Sequence, residues 1–173
     1  RIDLLVVMRL DDLDVEIVWH PYQLNPATPK EGVDRKDYLR EKFGTETYPE
    51  QMLGALVEAG ETTDIDFKFN AMNRVPNTIA SHRVLRWAQE SGHQDAVAEI
   101  LFRRYFVDNE DIGDIDTLAA AAGEAGMDAD VVRKQLSDDT DEEAVRAEAQ
   151  YASQMGISGV PTFIIDNKYA LQG

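Results

Sequence analysis

The stretch GISGVPTFIID, residues 156–166, decides the fold class of this chain. It opens on a glycine that can end a helix, and it continues into the X-Pro pair Val160-Pro161. The β-branched and aromatic residues at 162–165 then predict a strand. Asp166-Asn167-Lys168 predicts a tight turn, and residues 169–171 predict a second strand that pairs back as a hairpin. The C-terminal part of the chain is therefore predicted to be β structure that follows a proline loop.

Helical periodicity dominates the residues before this stretch. Apolar residues recur at helical spacing, and capping and stop residues mark the ends of the predicted helices. Asp34 predicts the start of a helix that ends near Gly44, and Pro49 predicts the first turn of another. Thr140 and Glu143 have the spacing of a capping box. The remaining helices are predicted at about 78–90, 95–106, 117–125, 130–136 and 140–155.

Two short strands are predicted near the start of the chain. Residues 2–7 form an apolar run, and residues 15–19 begin with apolar and polar positions in alternation. Only six residues, 8–13, separate these strands. A crossover between parallel strands needs about a dozen residues or more. Either the two strands form an antiparallel hairpin, or the sequence lacks a segment at this point.

The composition bounds the function. Against 17 basic residues stand 33 acidic ones, a net charge of −16, which argues against non-specific nucleic-acid binding and against docking on an anionic membrane. An apolar content of 43% suffices for the core of one globular domain, or of a domain with a large insertion. No stretch approaches the roughly 18 apolar residues of a membrane span, and the first residues do not resemble a signal peptide. We therefore expect a cytoplasmic protein, either adapted to a salt-rich cytosol or simply acidic.

The chain contains no cysteine. Its 173 residues therefore hold no disulfide, no thiolate nucleophile and no cysteine-ligated metal. The three histidines, at positions 20, 82 and 93, lack the spacing of metal ligands on a helix. We expect neither a metal nor a cofactor.

Three motifs together carry a family resemblance. Residues 156–166 resemble the loop and strand of thioredoxin-fold proteins in which a cis-proline precedes a central strand. The segment WHPYQLNP at 19–26, and PNT at 76–78 followed by SHR at 81–83, occur in the order found in the FrnE-like branch of the DsbA family. The resemblance covers essentially the whole chain. It implies an α/β thioredoxin fold with an inserted all-helical domain, with residues 1–29 and 151–173 in the thioredoxin-like domain and 30–150 in the helical insertion.

The same resemblance implies a function. The family carries a redox Cys-x-x-C at the start of the helix after its first strand, which falls between Val7 and Met8 in this sequence. This is where the connection between the predicted strands is too short. The implied activity is that of a thiol-disulfide oxidoreductase, or disulfide isomerase, acting on protein or small-molecule disulfides. The residues that would carry it are not in the chain, so no catalytic residue is assigned.

Six residues are candidates for substrate binding under this resemblance. They are Val160, Pro161, Thr162, His20, Asn77 and His82. The first three form the loop that faces the cysteine pair in the family, where the backbone before the proline pairs with an extended substrate. The two histidines could line the cleft, or each could make a structural hydrogen bond only. The asparagine amide could bind substrate, or it could cap the helix that follows.

Two other functions stay open. A glutathione-dependent isomerase or transferase, of the 2-hydroxychromene-2-carboxylate isomerase and kappa-class type, shares the fold and uses a serine in place of the cysteine pair. Glutathione would then be its cofactor. A non-catalytic binding protein or holdase would keep only the groove beside the cis-proline. The expected partner is a thiol or disulfide substrate, not nucleic acid or a membrane, and a homodimer is compatible with the sequence.

Overall fold

The computed structural model describes residues 15–69 and 71–173, and about half of them are helical. The helices are α1 (Arg35–Phe43), α2 (Glu50–Thr62), α3 (Ile79–Glu90), α4 (Gln94–Phe106), α5 (Ile115–Glu124), α6 (Ala129–Leu136) and α7 (Glu142–Gln154). The strands are β1 (Val33–Asp34), β2 (Arg74–Val75), β3 (Thr162–Ile165) and β4 (Tyr169–Gln172). The strand predicted at 2–7 lies outside the described residues.

The predicted ends of several helices are confirmed, because local side chains and glycines determine them. The Asp34 carboxylate accepts hydrogen bonds from the backbone N–H groups of Lys36 and Asp37, at 2.8 and 3.2 Å, and so begins α1. Gly44 ends α1 with a φ of 73°, in the left-handed region that glycine adopts without steric cost. Gly156, with a φ of 89°, turns the chain after α7. This last turn leads directly into the proline loop.

The predicted C-terminal hairpin is also confirmed. Strands β3 and β4 pair antiparallel, with Thr162 opposite Gln172 and Ile165 opposite Tyr169. Asp166 and Asn167 in the connecting turn have φ values of 52° and 53°, which short polar side chains tolerate. A second antiparallel pair, β1 with β2, was not predicted, because two-residue strands are too short to show a periodic pattern.

The strand predicted at residues 15–19 is wrong, because this segment forms no strand. The backbone N–H of Trp19 donates to Gln94 Oε1 at 2.9 Å, and Gln94 Nε2 donates to the backbone carbonyl of Trp19 at 2.9 Å. The glutamine amide therefore occupies both backbone polar groups that a neighbouring strand would have paired. An alternating pattern cannot reveal that the partner of the backbone is a distant side chain.

The capping box predicted at Thr140 and Glu143 is wrong as well. Helix α7 begins after Asp141, which has a φ of 59° and makes no side-chain cap. The Asp141 carboxylate instead accepts a hydrogen bond from the indole Nε1 of Trp87 at 2.7 Å. The backbone N–H of Thr140 donates to Asp138 Oδ1 at 2.8 Å. Contacts with α3 thus displace the local capping pattern.

The main hydrophobic core lies among α3, α4, α5 and α6. Small side chains allow close packing here, since Ala121 and Ala122 of α5 are fully buried. The buried residues of this core are Val84, Trp87, Ala88, Val97, Leu101, Leu118, Ala121, Ala122, Val132 and Leu136. Helix α7 packs on the same assembly through α3. No helix among the described residues is long and apolar enough to cross a membrane.

A buried arginine joins α3 to the loop between α6 and α7. The Arg83 side chain is 2% exposed. Its Nε donates to the Thr140 carbonyl at 2.6 Å, and its Nη2 donates to the carbonyls of Gln135 and Asp138 at 2.6 and 2.7 Å. The guanidinium also lies over the Trp87 ring, with its carbon 5.2 Å from the ring centroid. One planar fork of donors therefore fixes the start of α7.

The division into a thioredoxin-like domain, residues 1–29 with 151–173, and a helical insertion, residues 30–150, stays a prediction.

We expect Arg83→Met to lower the free energy of unfolding by roughly 2–4 kcal/mol, because three backbone carbonyls lose a charged donor in a confined loop. Denaturant unfolding followed by circular dichroism measures this change. Arg133→Met is the matched control, since its guanidinium is exposed and pairs only with carboxylates at the surface. Equal stability of the two variants would contradict the role given to Arg83.

Candidate functional site

The proline loop joins the end of α7 to β3. After Gly156 turns the chain, the Ile157 N–H donates back to the Ala152 carbonyl at 3.2 Å and closes the helix end. The Val160–Pro161 peptide bond is cis, and Thr162 begins β3. The three loop residues predicted to bind substrate therefore lie together at the entrance to the hairpin.

Val160 lies at the surface of the proline loop. The residue is 49% exposed. Within residues 15–69 and 71–173, neither its N–H nor its carbonyl makes a hydrogen bond. Its neighbours are held firmly: Thr162 Oγ1 donates to the Gly159 carbonyl at 2.7 Å, and the Gly173 N–H donates to the Pro161 carbonyl at 2.9 Å. The loop thus offers the backbone N–H and carbonyl of one residue, between neighbours that are held in place, to an extended chain.

A second feature is a cavity of about 230 Å³ between the segment at 19–21 and helices α3 and α7. It is lined by Trp19, His20, Pro21, His82, Leu85, Arg86, Gln89, Val145 and Glu148. The structure therefore brings together the two histidines that the sequence marked as candidates, although they lie 62 positions apart in the chain.

Glu148 is the central polar group of this cavity. Its Oε1 lies 2.7 Å from His20 Nδ1, and its Oε2 accepts a hydrogen bond from Arg86 Nη1 at 3.3 Å. Sequence reasoning missed both Glu148 and Arg86. Arg86 follows His82 by one helical turn, and this spacing could have drawn attention to it. No local pattern marks Glu148, because its partners come from two distant segments.

His82 lies deeper in the cavity wall. Its Nε2 is 3.2 Å from the backbone carbonyl of Tyr22, so the neutral ring donates from Nε2 and leaves Nδ1 as an acceptor. Burial lowers the pKa of His82, although the Tyr22 carbonyl and the charge of Glu148 oppose this effect. His82 is therefore a neutral imidazole near neutral pH.

Asn77 lies outside both features. Its side chain is buried, with Nδ2 donating to the Thr28 carbonyl at 2.7 Å and Oδ1 accepting from the Ile79 N–H at 3.0 Å. The amide thus satisfies an N–H of the first turn of α3, while Thr78 at the N-cap position makes no side-chain cap. Both polar atoms of Asn77 are occupied by the protein itself.

Tyr22 connects the cavity with the proline loop. Its hydroxyl donates to the Ile157 carbonyl at 3.2 Å, and its own carbonyl faces His82. The motif that starts at Trp19 therefore contacts α3, α7 and the loop. Among the described residues there is no cluster of three or more side chains that could hold a metal ion.

We expect the free energy of unfolding to decrease as the pH falls below about 6.5, and His82→Gln to reduce this dependence. The pKa of His82 is lower in the folded protein than in the unfolded chain, so acid protonates the unfolded state first and favours it. The contribution of His82 to stability is fully present at a pH above its pKa in the unfolded chain. It is lost as the pH falls towards the pKa of His82 in the folded protein. Urea unfolding from about pH 7.5 to about pH 5.5 measures the slope. Because glutamine can still donate to Tyr22, the variant should match the parent at the upper pH, and an unchanged slope would contradict the assignment.

Comparison with known proteins places this geometry in a family. The model of a family described as the DSBA-like thioredoxin domain matches residues 4–173. The uncharacterized protein YwbO of Bacillus subtilis (strain 168) is 26% identical over 153 residues, which are 88% of this chain and 72% of that protein. The crystal structure of a probable DsbA oxidoreductase from Streptomyces coelicolor superposes with a TM-score of 0.73 at 26% identity, covering 88% of this chain.

The present chain spans 66% of that Streptomyces chain. The family match, however, extends over nearly all of the present sequence, and it includes the proline loop, the cavity and the hairpin. The chain therefore belongs to the family of DSBA-like thioredoxin domains.

Proposed function

We propose that this chain is the substrate-binding part of a thiol-disulfide oxidoreductase of the FrnE-like branch, acting on protein or small-molecule disulfides. The observation that carries the proposal is that Val160 is an exposed residue whose backbone has no hydrogen bond within the described residues, and that it lies two positions before the start of β3. The name of the Streptomyces relative, a probable DsbA oxidoreductase, supports the activity.

An extended substrate would bind at this loop by strand addition. One residue of the substrate would accept a hydrogen bond from the Val160 N–H with its carbonyl and donate one to the Val160 carbonyl with its N–H. Such pairing is independent of substrate sequence, because only backbone groups take part. It therefore suits an enzyme that handles disulfides in many proteins.

Electron transfer needs a dithiol that these 173 residues do not contain. At a helix N-terminus, the helix dipole stabilises a thiolate and lowers its pKa, so that the thiolate attacks or leaves a disulfide readily. In the FrnE-like branch this pair would stand between Val7 and Met8. Under this proposal, the present residues provide the binding surface, and a cysteine pair between Val7 and Met8 performs the redox step.

The absence of cysteine from the 173 residues favours a second candidate function. A non-catalytic binding protein, or holdase, would use the same N–H and carbonyl of Val160 to hold extended chains without any redox step. The two candidates share the binding surface, and the presence or absence of thiols distinguishes them.

The oxidoreductase predicts that the protein isolated from its native cells is heavier than 19.4 kDa and gains two alkyl groups after reduction and thiol alkylation. Intact-mass spectrometry before and after alkylation measures both quantities. A mass of 19.4 kDa without alkylation would reject the redox function and leave the binding protein. A heavier protein that gains no alkyl group would indicate the serine-type isomerase.

Both candidates predict that the Val160 amide becomes protected when a reduced, unfolded polypeptide is added. Hydrogen exchange of the 173-residue chain, followed by NMR, measures this protection, because a new hydrogen bond slows exchange. The amide of Thr47 is the control, since it also lacks a hydrogen bond within the described residues but lies between α1 and α2. Unchanged exchange at Val160 would reject binding at the loop.

A further inference from the structure

The cavity beside His82 combines both signs of charge at its mouth. Glu148 provides the negative group and Arg86 the positive one, and their side chains are 33% and 39% exposed. His20 contacts the other carboxylate oxygen, Oε1 of Glu148. His82 adds no charge, because burial favours its neutral form. The chain has a net charge of −16, but in this cavity the basic side chains of Arg86 and His20 accompany the acidic side chain of Glu148. Such a cavity is suited to a ligand that carries both a positive and a negative charge.

Part of the cavity lining is apolar. It includes Leu85 of α3, Val145 of α7 and Pro21 of the segment at 19–21. Val145 is fully buried and offers no surface to a ligand, whereas Leu85 is partly buried and keeps some exposed surface. A ligand that filled the cavity would place an aliphatic group here and its charged groups at the mouth.

The volume limits the size of the ligand. About 230 Å³ corresponds to about eight water molecules at their volume in the liquid. Cavities for larger organic ligands begin at about 300 Å³. The space therefore fits a molecule of about the size of an aliphatic amino acid.

We propose that this cavity binds a small aliphatic zwitterion, with its ammonium on Glu148, its carboxylate on Arg86 and its aliphatic group on Leu85. The binding site is separate from Val160, and the proposal does not depend on thiol chemistry. It assigns a ligand to a cavity that the proposed redox function leaves unused.

Binding would exchange one ion pair for two. Arg86 and Glu148 are joined by a single contact of 3.3 Å at a partly exposed site, and such pairs contribute little to stability. Glu148 would keep its shorter contact with His20, at 2.7 Å, through its other oxygen. Opening the Arg86 contact would free one oxygen for the ammonium and the guanidinium for a bidentate carboxylate.

Isothermal titration of the 173-residue chain with L-leucine tests the proposal. We expect saturable binding of L-leucine. Isocaproate, which lacks the ammonium, and isoamylamine, which lacks the carboxylate, should each bind at least about tenfold more weakly. Glycine, which lacks the aliphatic group, should also bind more weakly. These three probes separate the contributions of the two charges and of the contact with Leu85.

Matched variants locate the binding site. Arg86→Gln and Glu148→Gln should each weaken L-leucine binding about tenfold. Arg146→Gln, on α7 and paired with Glu142 outside the cavity, should leave it unchanged. Circular dichroism shows whether each variant is folded. Only the affinities of folded variants are compared with that of the parent chain.

Three results would overturn the proposal. The first is no heat of binding for L-leucine at millimolar concentration. The second is equal binding of isocaproate, which would make the ligand a simple carboxylate. The third is full affinity in folded Glu148→Gln, which would remove the carboxylate from the site.

Discussion

The fork of hydrogen bonds from Arg83 is the constraint on which the candidate sites depend. It ties α3 to the three carbonyls that precede α7, and so sets the position of α7 against α3. Helix α7 carries Glu148 into the cavity and ends at the turn that enters the proline loop. Because a buried guanidinium with several partners tolerates few alternative positions, one side chain determines the geometry of two surfaces.

Features determined by neighbouring residues could be predicted from the sequence. The Asp34 cap, the glycine ends of α1 and α7, and the hairpin turn at Asp166 each depend on groups within about four positions of one another. The proline loop was recognised because its residues form one continuous motif. The family followed from the order of three such motifs along the chain.

Features determined by distant residues could not be predicted in this way. Trp19 is held by the Gln94 amide instead of a strand, and Asp141 bonds to the Trp87 indole instead of capping α7. Each local pattern was outcompeted by a partner more than 50 positions away. The cavity shows the same limit, since the sequence marked His20 and His82 but gave no sign of Glu148, the group that contacts His20 and Arg86.

Tyr22 is attached at both ends, by its carbonyl near His82 and by its hydroxyl on Ile157. A molecule in the cavity that moved His82 away from the Tyr22 carbonyl would therefore disturb the segment that leads to Val160. Thermodynamic linkage makes any such coupling reciprocal, so that a chain bound at the loop would change the affinity of the cavity by the same factor. Tyr22 thus connects the two surfaces by a hydrogen bond at each of its ends.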